Sequence, residues 1–169
     1  MSETSQAQPS DLADCSATTL LRLYRSRQAS PLEATRAVLA RIERFNPVLN
    51  AFCHQAPDEA LAAARASETR WQRGVPAGEL DGVPVSIKDL ILVKGWPTLR
   101  GSRTIDPKQP WEVDAPVSAR LREAGAVILG KTTTPEFGCK GETNSSLTGI
   151  TRNPWDPSCL LYTSDAADD

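Results

Sequence analysis

Two stretches of this sequence hold residues that could do chemistry, and each asks for a different kind. From Gly125 to Thr132, "GAVILGKT" has the Gly, four residues, Gly, Lys, Thr spacing of a phosphate-binding loop. Such a loop works when a strand feeds a Gly-rich turn whose backbone N–H groups cradle phosphates just before a helix begins. Here Ala126, Val127, Ile128 and Leu129 form an apolar, β-prone run that wants burial. The segment before it reads as helix, with Asp114 as N-cap, Pro116 in the first turn, a stripe of Val117, Leu121 and Ala124, and Gly125 as the stop. Pro135 argues against a helix starting at Lys131. The order helix, glycine, strand, loop is the reverse of a phosphate site, so nucleotide binding is not expected.

The second stretch is "GVPVSIKDLILV". Strand alternation sends Val83, Val85 and Ile87 to one face and Pro84, Ser86, Lys88 and Leu90 to the other. Lys88 is then a lysine inside an apolar strand, and two readings of it stand. Its stem can pack on the sheet while the ammonium reaches water, with Asp89 only a neighbouring charge. Alternatively, desolvation disfavours the charged form until the neutral amine can serve as a base, a role that needs a hydroxyl nearby. Ser86 shares the face, but a strand neighbour points alongside Lys88 rather than at it.

Other residue types carry less. Cys15, Cys53, Cys139 and Cys159 form no C-x-x-C pair and read as isolated reduced thiols. The sequon at Asn144 to Ser146 has no secretory signal to give it meaning. A net charge of -2 with no basic cluster excludes an electrostatic nucleic-acid footprint. The longest uncharged apolar run, Leu90 to Val93, is far too short to span a bilayer, and the polar start "MSETSQAQPSD" is no signal peptide. A cytoplasmic location is the default expectation.

The elements that must hold Lys88 follow from periodicity. After a disordered-looking start, Ser16 to Arg27 has Leu20, Leu23, Tyr24 and Arg27 at helical spacing. Ser30, Pro31 and Glu33 make a capping box for a second helix whose stripe is Thr35, Val38, Leu39, Ile42 and Phe45, and which ends at Asn46-Pro47. "VLNAF" reads as a short extended piece, and Pro57 to Arg73 as an Ala-rich helix stopped by Gly74. A turn-rich link leads to the strand carrying Lys88, and Ala115 to Gly130 forms a helix-strand unit. Between them, "KGWPTLRGSRTIDPKQPWEVD" is too long for an idle connector and is expected to line a site. The class is α/β.

Five motifs, "LARIERFNPVLNAF", "LDGVPVSIKD", "KGWPTLRGS", "LREAGAVILGKTTTPEFG" and "TNSSLTGITRNPWDPS", occur in the order and spacing of the amidase signature family, so that roughly Ser16 to Ser158 resembles it. The resemblance implies a large mixed sheet with helices on both sides, of which this chain supplies the N-terminal helices and the first strands. It implies a carbon-nitrogen amide hydrolase acting through a Ser-Ser-Lys triad and an acyl-enzyme. Lys88 matches the triad lysine. No cofactor and no metal are implied, and the expected partner is a small-molecule amide, with neither nucleic acid nor membrane bound directly.

The sequence departs from that pattern in two places. The family's Gly-Ser-rich stretch, which carries the middle serine, the nucleophile and the oxyanion loop, does not follow "NPWDPS"; the chain continues "CLLYTSDAADD". Ser164 lies near the expected place of the middle serine but lacks flanking glycines and is not assigned. Residues 1–158 are therefore expected to be the N-terminal part of one amidase domain, 159–169 a non-native tail, and the chain inactive as it stands. The other departure is Thr133, where many relatives have Asn after "GKT", which puts the hydrogen bonding of that loop in question. Lys131 is read as structural, Ser102, Ser145 and Ser146 as turn hydroxyls, and His54 as a surface or core residue. Within the family the alternative is the glutaminase-type component of the tRNA-dependent amidotransferase, which works with partner subunits; outside it, a non-catalytic binding remnant.

Overall fold

The computed structural model describes residues 11–160, so Ser164 and the expectation for residues 1–10 lie outside the described residues. Residues 11–15 belong to the folded body. A 3-10 turn at Leu12–Asp14 is capped by the Asp11 side chain, and both Asp11 and Asp14 pair with Arg41.

Among the described residues, four α-helices and a short mixed sheet follow. Helix α1 is Ala17–Arg25, capped by the Ser16 hydroxyl; it buries Leu20, Leu23 and Tyr24, while Arg27 falls beyond its end and is exposed. Helix α2, Pro31–Leu49, opens with the capping box: Ser30 Oγ accepts from the Glu33 N–H and the Glu33 carboxylate accepts from the Ser30 N–H. Pro47 does not end α2, contrary to expectation. It sits in the last turn, where it forfeits a single intrahelical bond, and the Asn46 side chain secures the exit by accepting from the N–H groups of Ala51 and Phe52. The helix closes at Asn50, which adopts the left-handed conformation. Strand β1, Phe52–Gln55, and helix α3, Pro57–Arg73, come next, with Gly74 left-handed at the α3 terminus.

Strand β2 is Pro84–Lys88, helix α4 is Pro116–Glu123 and strand β3 is Val127–Thr132. Asp114 does not cap α4. Its carboxylate instead accepts from the Lys94 N–H and pairs with Arg122, and Ala115 occupies the cap without a side-chain bond. Val117, placed on the buried stripe by its spacing, is exposed. The three long strands run in the order β1-β3-β2, antiparallel for β1 with β3 and parallel for β2 with β3 through the α4 crossover. A two-strand ladder, β4 at Asn144–Ser145 and β5 at Gly149–Ile150, forms apart from it.

Helices cover both faces of β3. Val127 and Leu129 pack against Ile42, Ala60 and Ala64 of α2 and α3. Ile128 packs with Ile87, Val85, Trp96 and Leu121 on the other side. The phosphate-loop look-alike is thus the central strand of the sheet, with Val127 fully buried. Its second glycine, Gly130, has a steric purpose: a Cβ there would collide with the His54 carbonyl oxygen of β1.

Candidate active site

Lys88 ends β2, in register with Thr132 of β3. Alternation holds as expected: Val83 and Ile87 are buried, Ser86 is exposed on the opposite face and Lys88 is half-buried beside it. Among the described residues the Lys88 side chain makes neither a hydrogen bond nor an ion pair. No hydroxyl of this stretch is delivered to its amine.

Asp89, the adjacent carboxylate, is committed elsewhere. It is buried and pairs with Lys131 Nζ at 2.8 Å, with Lys131 itself fully buried. Lys131 also donates to the Thr98 hydroxyl at 2.5 Å and to the Pro97 carbonyl at 3.0 Å. Burial pushes the Lys131 ammonium down from its ordinary value; the hydrogen bond to Asp89 pulls the other way without prevailing, and the nearby Arg100 charge adds to the depression. Lys131 therefore ties the end of β2 to the Pro97-Thr98 loop and to β3, which agrees with its reading as structural. The pair itself escaped the sequence analysis. The available signal was two opposite charges, each at the end of an apolar strand.

Around this pair the neighbours are inert or fixed. Burial pushes the Cys53 thiol up to about 11, too high for a thiolate at neutral pH. His54 meets the Trp96 ring at a tilt, with ring centroids 4.9 Å apart, and burial lowers its pKa. Ser102 is fully buried and donates to the Glu136 carboxylate at 2.6 Å, while Ser145 closes a turn on the Thr148 N–H at 3.0 Å. Thr133 is tied into its loop through its hydroxyl. Its hydroxyl meets Thr151 Oγ1 at 2.6 Å and the Ala51 carbonyl at 3.3 Å.

The long segment after Lys88 does build a cavity, lined in part by Thr98, Arg100, Trp111 and Phe137. A larger groove lies elsewhere, between α2 and the Pro154–Pro157 segment, and is mainly apolar. Among the described residues no group of His, Cys, Asp and Glu side chains is arranged to hold a metal, and no helix is long and apolar enough to cross a membrane.

The amidase family profile matches residues 33–161. The chain belongs to the amidase family. Over 126 residues this amidase-family chain is 48% identical to the A-type component of glutamyl-tRNA(Gln) amidotransferase from Chloroflexus aurantiacus, covering 75% of itself and 26% of that protein. The corresponding component from Acidothermus cellulolyticus is 42% identical over 147 residues, 87% of this chain and 29% of that one. Among solved structures, a bacterial aryl acylamidase of the amidase signature family superposes with a TM-score of 0.81 at 32% identity, covering 88% of this chain and 31% of that one. A 6-aminohexanoate cyclic dimer hydrolase complexed with substrate gives 0.77 at 31% identity, covering 91% and 30%. The described elements are an incomplete amidase-signature fold, and the chain spans between a quarter and a third of the length of these relatives.

Proposed function

We propose that this chain is the N-terminal portion of an amide hydrolase in which Lys88 is the catalytic base. The observation that carries the reading is the state of Lys88 beside Asp89. The amine stands half-buried and unpartnered among the described residues at a strand end, while the carboxylate next to it in sequence is consumed by Lys131. A base needs an uncommitted lone pair facing a proton donor, and an ion pair with Asp89 would have removed it.

In the complete domain, Lys88 accepts the proton of a middle serine, which in turn takes the proton of a nucleophilic serine. The activated serine attacks the amide carbonyl, backbone N–H groups hold the oxyanion, and the relayed proton leaves with the amine. Water then releases the acid from the acyl-enzyme. Both serines and the oxyanion donors belong to a Gly-Ser-rich stretch that this sequence does not contain after Ser158. On this reading residues 1–158 are domain and 159–169 are not, the chain alone hydrolyses nothing, and the activity appears when that stretch follows.

The test is to sequence the coding DNA through and beyond the codon for Ser158 and to assay the completed protein on an aryl acylamide such as 4-nitroacetanilide. Lys88→Ala should lower kcat by roughly 10²–10⁴-fold, the range of a lost general base. Retention of kcat within tenfold by a folded Lys88→Ala protein would sink the reading.

A second reading has its own support. The Chloroflexus and Acidothermus relatives, at 48% and 42% identity, are components of glutamyl-tRNA(Gln) amidotransferases. If this chain belongs to such a component, the same Lys88 chemistry would release ammonia from glutamine only together with partner proteins. Hydrolysis of a simple aryl acylamide by the completed protein alone decides for the stand-alone amidase.

A further inference from the structure

The open cavity formed by the segment after β2 has a volume of about 460 Å³, within the range of small-molecule sites. Among the described residues that line it, Arg100 alone carries a positive charge. Arg100 is half-buried as a residue, and among the described residues its guanidinium makes no hydrogen bond and no ion pair. An arginine fork left uncommitted by the protein is free to meet the acceptors of a ligand.

The backbone aims it there. Arg100 and Phe137 both adopt the left-handed conformation, with φ of 54° and 52°, and the Phe137 N–H donates to the Arg100 carbonyl at 2.8 Å. Neither residue is glycine, so the pairing holds two side chains on the cavity against local preference. The Trp111 ring is fixed by its own indole N–H, which donates to the Pro107 carbonyl at 3.1 Å, and so presents an aromatic wall. Thr98 completes the set: its oxygen is occupied by Lys131, which leaves its hydroxyl proton to donate. Gln109 and the exposed Glu112 also line the cavity, and Glu112 forms no ion pair with Arg100.

We propose that this cavity binds a small aromatic carboxylate, with the carboxylate on Arg100 and the ring between Trp111 and Phe137. A planar carboxylate matches the guanidinium fork, and a ring of benzoate size fits two aromatic walls. The exposed Glu112 disfavours a second negative charge on the ligand. In a complete amidase domain the same cavity would favour substrates carrying a carboxylate away from the amide that is cut. That extension rests on the Lys88 reading; the binding does not.

The test is a titration of the ¹⁵N-labelled chain with sodium benzoate and, separately, with benzamide at constant ionic strength. The readouts are the Trp111 indole and Arg100 Nε–H signals. Benzoate should give saturable shifts of both at millimolar concentration, with benzamide at least about tenfold weaker. Arg100→Asn is the informative variant, since Asn tolerates the left-handed backbone; it should weaken benzoate about tenfold or more, while Glu112→Gln should strengthen it. Equal binding of benzamide, absence of saturable shifts with benzoate, or wild-type affinity in an Arg100→Asn chain whose Trp96 indole signal is unchanged would each overturn the proposal. Lys88 takes no part in the readout, so failure here leaves the hydrolytic reading standing, and failure of that reading leaves this one.

Discussion

At the scale of single residues, the two lysines on neighbouring strands show how similar local sequence leads to opposite surroundings. Both sit at the end of an apolar strand, yet Lys131 is enclosed with Asp89 and Thr98 while Lys88 has no partner among the described residues. Removing one member of a buried pair strands the other charge. Lys131→Met is therefore expected to destabilise the chain by about 3–5 kcal/mol, whereas Lys131→Met combined with Asp89→Leu should recover much of that loss. Urea unfolding of the two variants checks it, and equal losses would show that the pair contributes only through volume. Lys88 could be singled out from the sequence because a motif surrounds it. The commitment of Asp89 could not be read there, since Asp89 and Lys131 lie far apart in the chain and meet only once the parallel register of β2 and β3 is set.

At the scale of elements, the starts of helices were legible and their ends less so. The Ser30–Glu33 capping box works through bonds within one turn, so local sequence suffices to place it. Pro47 misleads because its cost is offset by Asn46, whose side chain satisfies backbone groups on the far side of the helix end. Asp114 misleads for the converse reason: a better tertiary use, with Lys94 and Arg122, removes it from the cap. Gly130→Ala tests the contact that lets β1 lie against β3. With the His54 carbonyl in the way, a loss of about 1–3 kcal/mol is expected in thermal or urea melts, as for other overpacked sites. The junction between α3 and β2 responds to acid. Asp81 is fully buried; burial alone would raise its pKa, but hydrogen bonds from Arg70 and from the Ala77 N–H outweigh this and hold it below the ordinary 3.8. A depressed carboxylate contributes stability above its unfolded value, and that contribution fades as pH falls through its folded one. Unfolding free energy should accordingly drop on acidification below about pH 4, and Asp81→Asn should flatten that slope.

At the scale of the whole molecule, one side of α2 remains uncovered. Phe45, expected on the buried stripe, is 42% exposed, Val48 is 59% exposed, and both line the groove that Trp155, 94% exposed, overhangs. Periodicity reports that a face is apolar but not what lies on it, which is why the stripe was legible and its partial exposure was not. A contiguous apolar surface of this kind drives association in water. Light scattering should show concentration-dependent self-association of the chain, reduced by Phe45→Glu and Val48→Glu together. The α/β class was accessible from the order of elements and the two-sided sheet from the family resemblance, whereas the cavity at Arg100 depends on a loop whose path no periodicity describes. The left-handed Asn50 at the end of α2 has a bearing on how the molecule is assembled in time. Its side-chain amide donates to the carbonyls of Thr148 and Ile150, positions 98 and 100 residues further along. Contacts at such separation close a long loop and reward the chain late. The β4-β5 ladder should thus be the last piece to dock in refolding and the first whose amides exchange with solvent, and Asn50→Ala should speed unfolding while leaving the folding rate nearly unchanged.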